Sequence, residues 1–175
     1  PNGDNLHRVV MFRDGKLRAD QVRPFDPTSD SSTTPDQLWD YMDAYEKSTG
    51  GKMLAIPHNS NVSDGRMFQM TDFAGKPIDS AYADMRMRNE PIVEMSQVKG
   101  TSDTHPLLSP NDEWADFETY DTLLGTDIKG KTDGSYIRQA LQRGLAIEAK
   151  TGRNPYQFGF VAVRANQFLI DSLSY

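Results

Sequence analysis

The sequence predicts an α/β fold in which the strands are mostly parallel. Three observations carry that reading. Short apolar runs alternate along the chain with longer stretches in which apolar residues recur at three- and four-residue steps. Pairs of a hydroxyl residue and a proline, Thr34-Pro35 and Ser109-Pro110, mark helix starts between those runs. The run Met53-Leu-Ala-Ile-Pro57 delivers His58-Asn-Ser-Asn61 directly at its end, which is where α/β proteins gather their chemistry.

Taken in order, His7-Arg-Val-Val-Met-Phe-Arg13 lies between Asn-Gly-Asp and Asp14-Gly15 and reads as a strand closed by a turn. Lys16 to Thr34 carries three Asp, two Pro and a Ser/Thr cluster, a loop composition. Thr34-Pro35-Asp36-Gln37 sets a hydroxyl at the N-cap, proline at the first helical position and Gln at the third, so a helix is expected from Pro35 to about Ser48. Leu38, Tyr41, Met42 and Tyr45 give it an apolar face, and Gly50-Gly51 stops it. The strand that ends at His58 follows, then a lid-like loop from Asn59 to Pro77 anchored by Met67, Phe68 and Met70. Asp79 caps a helix to Asn89, and Pro91 to Met95 reads as a buried strand.

Gln97 to Leu108 is a polar loop. The Ser109-Pro110 signal predicts a short helix faced by Trp114, Phe117 and Tyr120. After the turn Gly125 to Gly134, Ser135 opens a helix to about Thr151, with Ile137, Ala140, Leu141, Leu145 and Ile147 on or near one face. Phe158 to Val163 reads as the last strand. No repeat at solenoid period occurs.

Composition narrows the function classes. The 175 residues suffice for one domain with a core, and hydrophobic residues are only 37% of them. With a mean hydropathy of -0.66, much of the chain is expected as loop or solvated surface. The formal charge of -6 opposes nucleic acid and anionic lipid as partners. No apolar run approaches the roughly 20 residues of a membrane span, so no membrane partner is expected. Without cysteine, any metal must be held by His, Asp, Glu and Asn.

His58 offers an imidazole lone pair for a metal or a proton, and Asn59 and Asn61 can orient water or substrate. The plainer alternative for His58 is a loop histidine satisfied by a backbone carbonyl. Glu94 sits inside an apolar run, where an ionised carboxylate needs a partner or a metal; a solvent-facing strand position is the alternative. His105 precedes a proline in a loop, and Asp103, Asp112 and Glu113 read as solvated charges. His7 precedes the first strand and His58 follows the second. If those strands run parallel, the two histidines stand at opposite ends, and an antiparallel first strand would bring them together.

A set of motifs in order carries a resemblance. They are Leu54-Ala-Ile-Pro-His-Asn59, Asn61, Gly65-Arg-Met-Phe68, Arg88-Asn-Glu-Pro91, Val93-Glu94, Gln97-Val-Lys-Gly-Thr101, His105-Pro106, Leu108-Ser-Pro-Asn-Asp-Glu113 and Gly134-Ser-Tyr136. From about His7 to Ala162 the chain resembles a bacterial domain family of unassigned function that is similar to the PHP (polymerase and histidinol phosphatase) metallohydrolases. The resemblance implies part of a distorted (β/α)7 barrel with divalent metals, Zn, Mn or Fe, at the strand ends, acting on a small phosphorylated or ester substrate. It implies His7 and His58 as metal ligands, with Glu94 and His105 as further candidates. The superfamily's opening Gly-Asp-Leu-His-x-His and closing Asp-x-His motifs have no counterpart. The chain is therefore expected to be a central portion: an incomplete α/β domain over residues 1–162 with a divergent tail at 163–175. Alone it should hold metal weakly and turn over little. Uncovered strand edges favour self-association, and the rival reading is a non-catalytic binding or self-assembly module.

Overall fold

The computed structural model describes residues 5–26 and 34–162. The elements run β1 (Arg8–Phe12), α1 (Lys16–Ala19), α2 (Pro35–Thr49), β2 (Met53–Pro57), a 3-10 turn (Ser60–Val62), α3 (Ser80–Asn89), β3 (Ile92–Gln97), β4 (Gly100–Thr101), α4 (Ile137–Thr151) and β5 (Gly159–Ala162). The expected tail at 163–175 and the Ser/Thr cluster around residue 31 lie outside the described residues.

The fold is mixed α/β, and among the described residues no barrel closes. The expectation of mostly parallel strands does not hold. β1 pairs antiparallel with β2 from Arg8↔Pro57 to Phe12↔Met53, β3 pairs antiparallel with β4, and β3 with β5 is the parallel pair. Alternation of strands and helices records the order of elements and not their direction. A connection as long as that from Arg13 to Lys52 can return the chain to either end of its partner. Here the junction is clipped locally: the Arg13 N–H donates to the Lys52 carbonyl at 2.9 Å, and the Lys52 N–H donates to Asp14 Oδ2 at 2.6 Å. Those bonds tie the end of β1 to the start of β2 and fix the antiparallel sense.

Two apolar clusters make the core. One joins Leu38, Trp39, Met42 and Tyr45 of α2 to Met53 and Ala55 of β2. The other gathers Met67, Phe68, Ala83, Val93, Ile137, Ala140, Ile147, Tyr156 and Phe158 around α4 and β3. Tyr82 touches both. In the seam lies a buried ion cluster: Glu90 Oε1 accepts from Arg8 Nε at 2.8 Å and from Trp39 Nε1 at 2.9 Å, and Arg86 stands 3.3 Å from Oε2. The Arg86 guanidinium is 4.7 Å from the Tyr156 ring centre and 5.8 Å from the Trp39 and Phe68 rings, a cation over aromatic faces. Burial alone would push the Glu90 carboxyl up; the guanidiniums of Arg8 and Arg86 overcome it, and the net shift is down.

Helix ends follow the residues that cap them. At α2, Gln37 Oε1 accepts the Thr34 N–H at 3.1 Å, and Gly50 closes the helix at a φ of 67°. α4 starts at Ile137 with Tyr136 as its N-cap, two residues later than Ser135 suggests. The Ser135 hydroxyl is committed elsewhere, accepting from the Gly65 N–H at 2.8 Å and donating to the Lys131 carbonyl at 2.6 Å. On α4, Gly144 takes the core position and Leu145 is 64% exposed. The helix expected after Ser109-Pro110 is instead a series of turns with three-residue hydrogen bonds, Asp112 to Ser109, Ala115 to Asp112 and Phe117 to Trp114. Trp114 and Phe117 stay exposed and only Ala115 packs inward, so no apolar face rewards a continuous helix there.

Candidate functional site

The antiparallel sense of β1 changes the placement of the histidines. Arg8 faces Pro57 in the register, so His7 and His58 stand opposite each other at one end of the pair, and the His58 N–H donates to the His7 carbonyl at 3.1 Å. β3 packs beside β2, and its Glu94 reaches the same end. Glu94 Oε2 lies 2.6 Å from His58 Nδ1, with both side chains under a tenth exposed. The approach is out of line for an N–H···O bond, so both atoms are buried without a hydrogen-bond partner. At this separation the two atoms form a close histidine–carboxylate pair, and a cation held by both would sit beside the line that joins them.

The loop after β2 continues the pattern. Asn59 is 1% exposed with a φ of 57°, a left-handed conformation that Asn tolerates better than most residues. Neither its amide oxygen nor its amide nitrogen has a partner, and the buried Ser60 hydroxyl also lacks one. Asn61 is placed differently. Its amide donates to the Lys99 carbonyl at 2.9 Å and the Tyr120 carbonyl at 3.0 Å and accepts from Ser102 Oγ at 3.1 Å. Those bonds spend its polar groups on joining the β2 loop to the segments after β3.

His7 is exposed at the mouth of the site. Partial desolvation of its ring lowers its pKa, and the neighbouring His58, Lys99 and Arg8 lower it further, so the neutral, ligand-competent form is favoured. His105 has other company. Its ring centre is 5.5 Å from that of Tyr136, its Nδ1 accepts the Leu107 N–H at 3.1 Å, and it lines a cleft of about 570 Å³ with Asp121 and Lys129. Burial lowers its pKa, with Asp121 opposing and Lys129 assisting. Tyr136, buried with an unpartnered hydroxyl, is pushed up to about 12 by burial and by Asp121.

The structure thus brings together His58 and Glu94, sets His7 across from them and Asn59 beside them, and gives Asn61 and His105 different neighbours. Sequence reasoning quoted Ser60, Gln97, Tyr136 and Glu90 within its motifs but gave none of them a role. Glu90 carried a usable signal, an acid next to an apolar strand, but its two arginine partners are 82 and 4 positions away. Among the described residues no group of three or more His, Asp or Glu converges as a metal cage. The donor set at His58 and Glu94 nevertheless fits a divalent cation in type, one imidazole nitrogen and one carboxylate oxygen, both buried, facing each other and without another partner.

These features define a mixed α/β protein with a buried histidine–carboxylate pair at its strand ends. No helix among the described residues is long and apolar enough to cross a membrane. The family model described as Protein of unknown function (DUF3604) matches residues 1–165, and the chain belongs to that family. No curated protein matches it, and no solved structure does.

Proposed function

We propose that this chain carries the core of a metal-dependent hydrolase site of PHP type, acting on a phosphoester. The observation that supports the reading best is the 2.6 Å approach of His58 Nδ1 and Glu94 Oε2, buried and without other partners. His58 and Glu94 would hold the metal, and His7 stands across the strand pair where it can join them. A divalent metal so bound supplies a water of lowered pKa and offsets phosphoryl charge. The chain's own residues then divide the work. Glu94 contributes the negative charge that anchors a cation, His58 the directional lone pair, and Asn59 an amide free to orient a water or a substrate oxygen.

With two converging donors and a third across the strand, affinity is expected to be weak. The absence of a three-donor cage among the described residues is the observation that favours the second reading, a non-catalytic binding or self-assembly module. Cobalt(II) titration of the chain, read by visible absorption, separates the two. Saturable uptake lost in both His58→Ala and Glu94→Gln is expected. Uptake unaffected by either variant sinks the metal reading.

A further inference from the structure

Gln97 opens one of the motifs that carry the resemblance but has no role assigned to it, and a bulge in β3 sets which face it lies on. Along β3, Glu94 is level with Val161 of β5 and Ser96 is level with Ala162, so Met95 is an extra residue and the strand is bulged there. Val161 and Ala162 are consecutive and point to opposite faces, hence their partners Glu94 and Ser96 do too. Without the bulge, Glu94 and Ser96 would share a face and Gln97 would point the other way, with Val93, into the apolar cluster. With it, Gln97 returns to the face of Glu94, three positions and at most about 10 Å along the strand. Bulges re-aim side chains in this manner beside functional sites.

The state of the Gln97 side chain agrees. It is 2% exposed, and its Oε1 accepts the Lys99 N–H at 3.1 Å, which fixes which end of the amide is oxygen. Nε2 therefore holds two N–H donors, buried and without a partner. It shares this condition with both polar atoms of Asn59. A buried donor pinned in orientation with nothing to donate to is matched to an acceptor that arrives with a ligand.

We propose that Gln97 is a substrate-positioning residue, donating from Nε2 to an anionic oxygen of the group bound at His58 and Glu94, a phosphoryl oxygen in the first instance. This assignment rests on the metal reading above. The test uses the whole chain loaded with cobalt(II), inorganic phosphate as the probe, and two variants. Cobalt affinity is read by visible absorption, phosphate affinity by paramagnetic broadening of its ³¹P resonance, and folding by thermal denaturation. Gln97→Met removes the donor at similar volume: cobalt affinity within twofold of wild type and phosphate affinity at least tenfold weaker are expected. Gln97→Glu keeps the acceptor for Lys99 and replaces the donor with a carboxylate: tighter cobalt and loss of phosphate are expected, a split that a purely structural glutamine would not produce. Unchanged cobalt and phosphate affinities in Gln97→Met overturn the Gln97 assignment and leave the metal reading standing. No cobalt uptake by the wild-type chain overturns both.

Discussion

Replacing Glu90 by Gln tests the energetic centre of the fold. The carboxylate is fully buried and answers two guanidiniums and an indole: Arg8 Nε at 2.8 Å, Trp39 Nε1 at 2.9 Å and Arg86 at 3.3 Å. Gln keeps the shape and one acceptor but removes the only negative charge in the cluster, leaving two buried cations facing each other. Removing one partner from a buried ion pair costs about 3–5 kcal/mol, a large part of the roughly 5–15 kcal/mol that holds an ordinary domain. Removing one cation should be milder: Arg8→Met leaves Glu90 with Arg86 and Trp39, at about 1–3 kcal/mol. Urea unfolding of the three proteins gives both numbers, read by fluorescence of Trp39, which is buried, against the 72% exposed Trp114. The pH dependence has a fixed sign. Because Glu90 is held below the usual carboxylate range in the folded chain, its contribution is complete above a pH of about 4.3 and is lost as pH falls through the folded value. The gap between wild type and Glu90→Gln should therefore narrow in acid. A loss under about 1 kcal/mol in Glu90→Gln, or a greater loss in Arg8→Met, would refute the view that this carboxylate balances the seam.

Two further outcomes follow from single positions. His7 should titrate below the ordinary histidine value of about 6.5, because burial and the neighbouring His58, Lys99 and Arg8 disfavour its charged form. The folded chain thus holds fewer protons there, the contribution of His7 to stability is intact above that pH and declines as pH falls, and His58→Ala should move the titration upward. A ring-proton NMR titration unmoved by His58→Ala would count against the shared site. Gly144→Ala should destabilise although alanine favours helix, since its Cβ would fall 2.2 Å from Asn154 Oδ1 and 3.1 Å from the Tyr156 Cβ. The clash is expected to outweigh the helix gain by about 1 kcal/mol in thermal or urea unfolding, and a stabilised variant would show that Asn154 moves aside freely.

What was legible in the sequence followed local chemistry. α2, α3 and α4 were legible because caps, prolines and glycines act within a turn of the residues they govern, and β2 and β3 because their apolar runs are bounded by turn residues. Strand direction was not legible, because the clip between Asp14 and Lys52 joins residues 38 positions apart and leaves no periodicity. The bulge at Met95 was hidden for the same reason: it exists only in register with β5. The failure after Ser109-Pro110 is instructive in another way. A capping signal promises a helix only where an apolar face will be buried, and Trp114 and Phe117 are not. Of the site, His58 and Glu94 were both singled out, but their contact was not, since apolar alternation cannot say which faces of two strands meet.

Two features compete as the place where this protein acts: the polar strand ends and an open apolar groove of about 900 Å³ between β1 and α2, lined by residues including Val10, Phe12, Leu38 and Tyr41. Energetics separates them. Partly exposed apolar side chains such as Phe12 are commonplace on a folded surface and need no occupant to explain them. Buried polar atoms without partners do, because each costs about 1–3 kcal/mol. Both polar atoms of Asn59, Ser60 Oγ and Gln97 Nε2 all carry that cost, and they come from the two short segments that also hold the His58–Glu94 pair, 58–60 and 94–97. Their sum, about 4–12 kcal/mol, is a large share of the roughly 5–15 kcal/mol that holds a typical domain. A fold that keeps four such atoms beside a buried histidine–carboxylate pair gains most from a ligand that satisfies them together, and on the reading proposed above a cation with anionic oxygens around it would answer both the acceptors and the donors in that set.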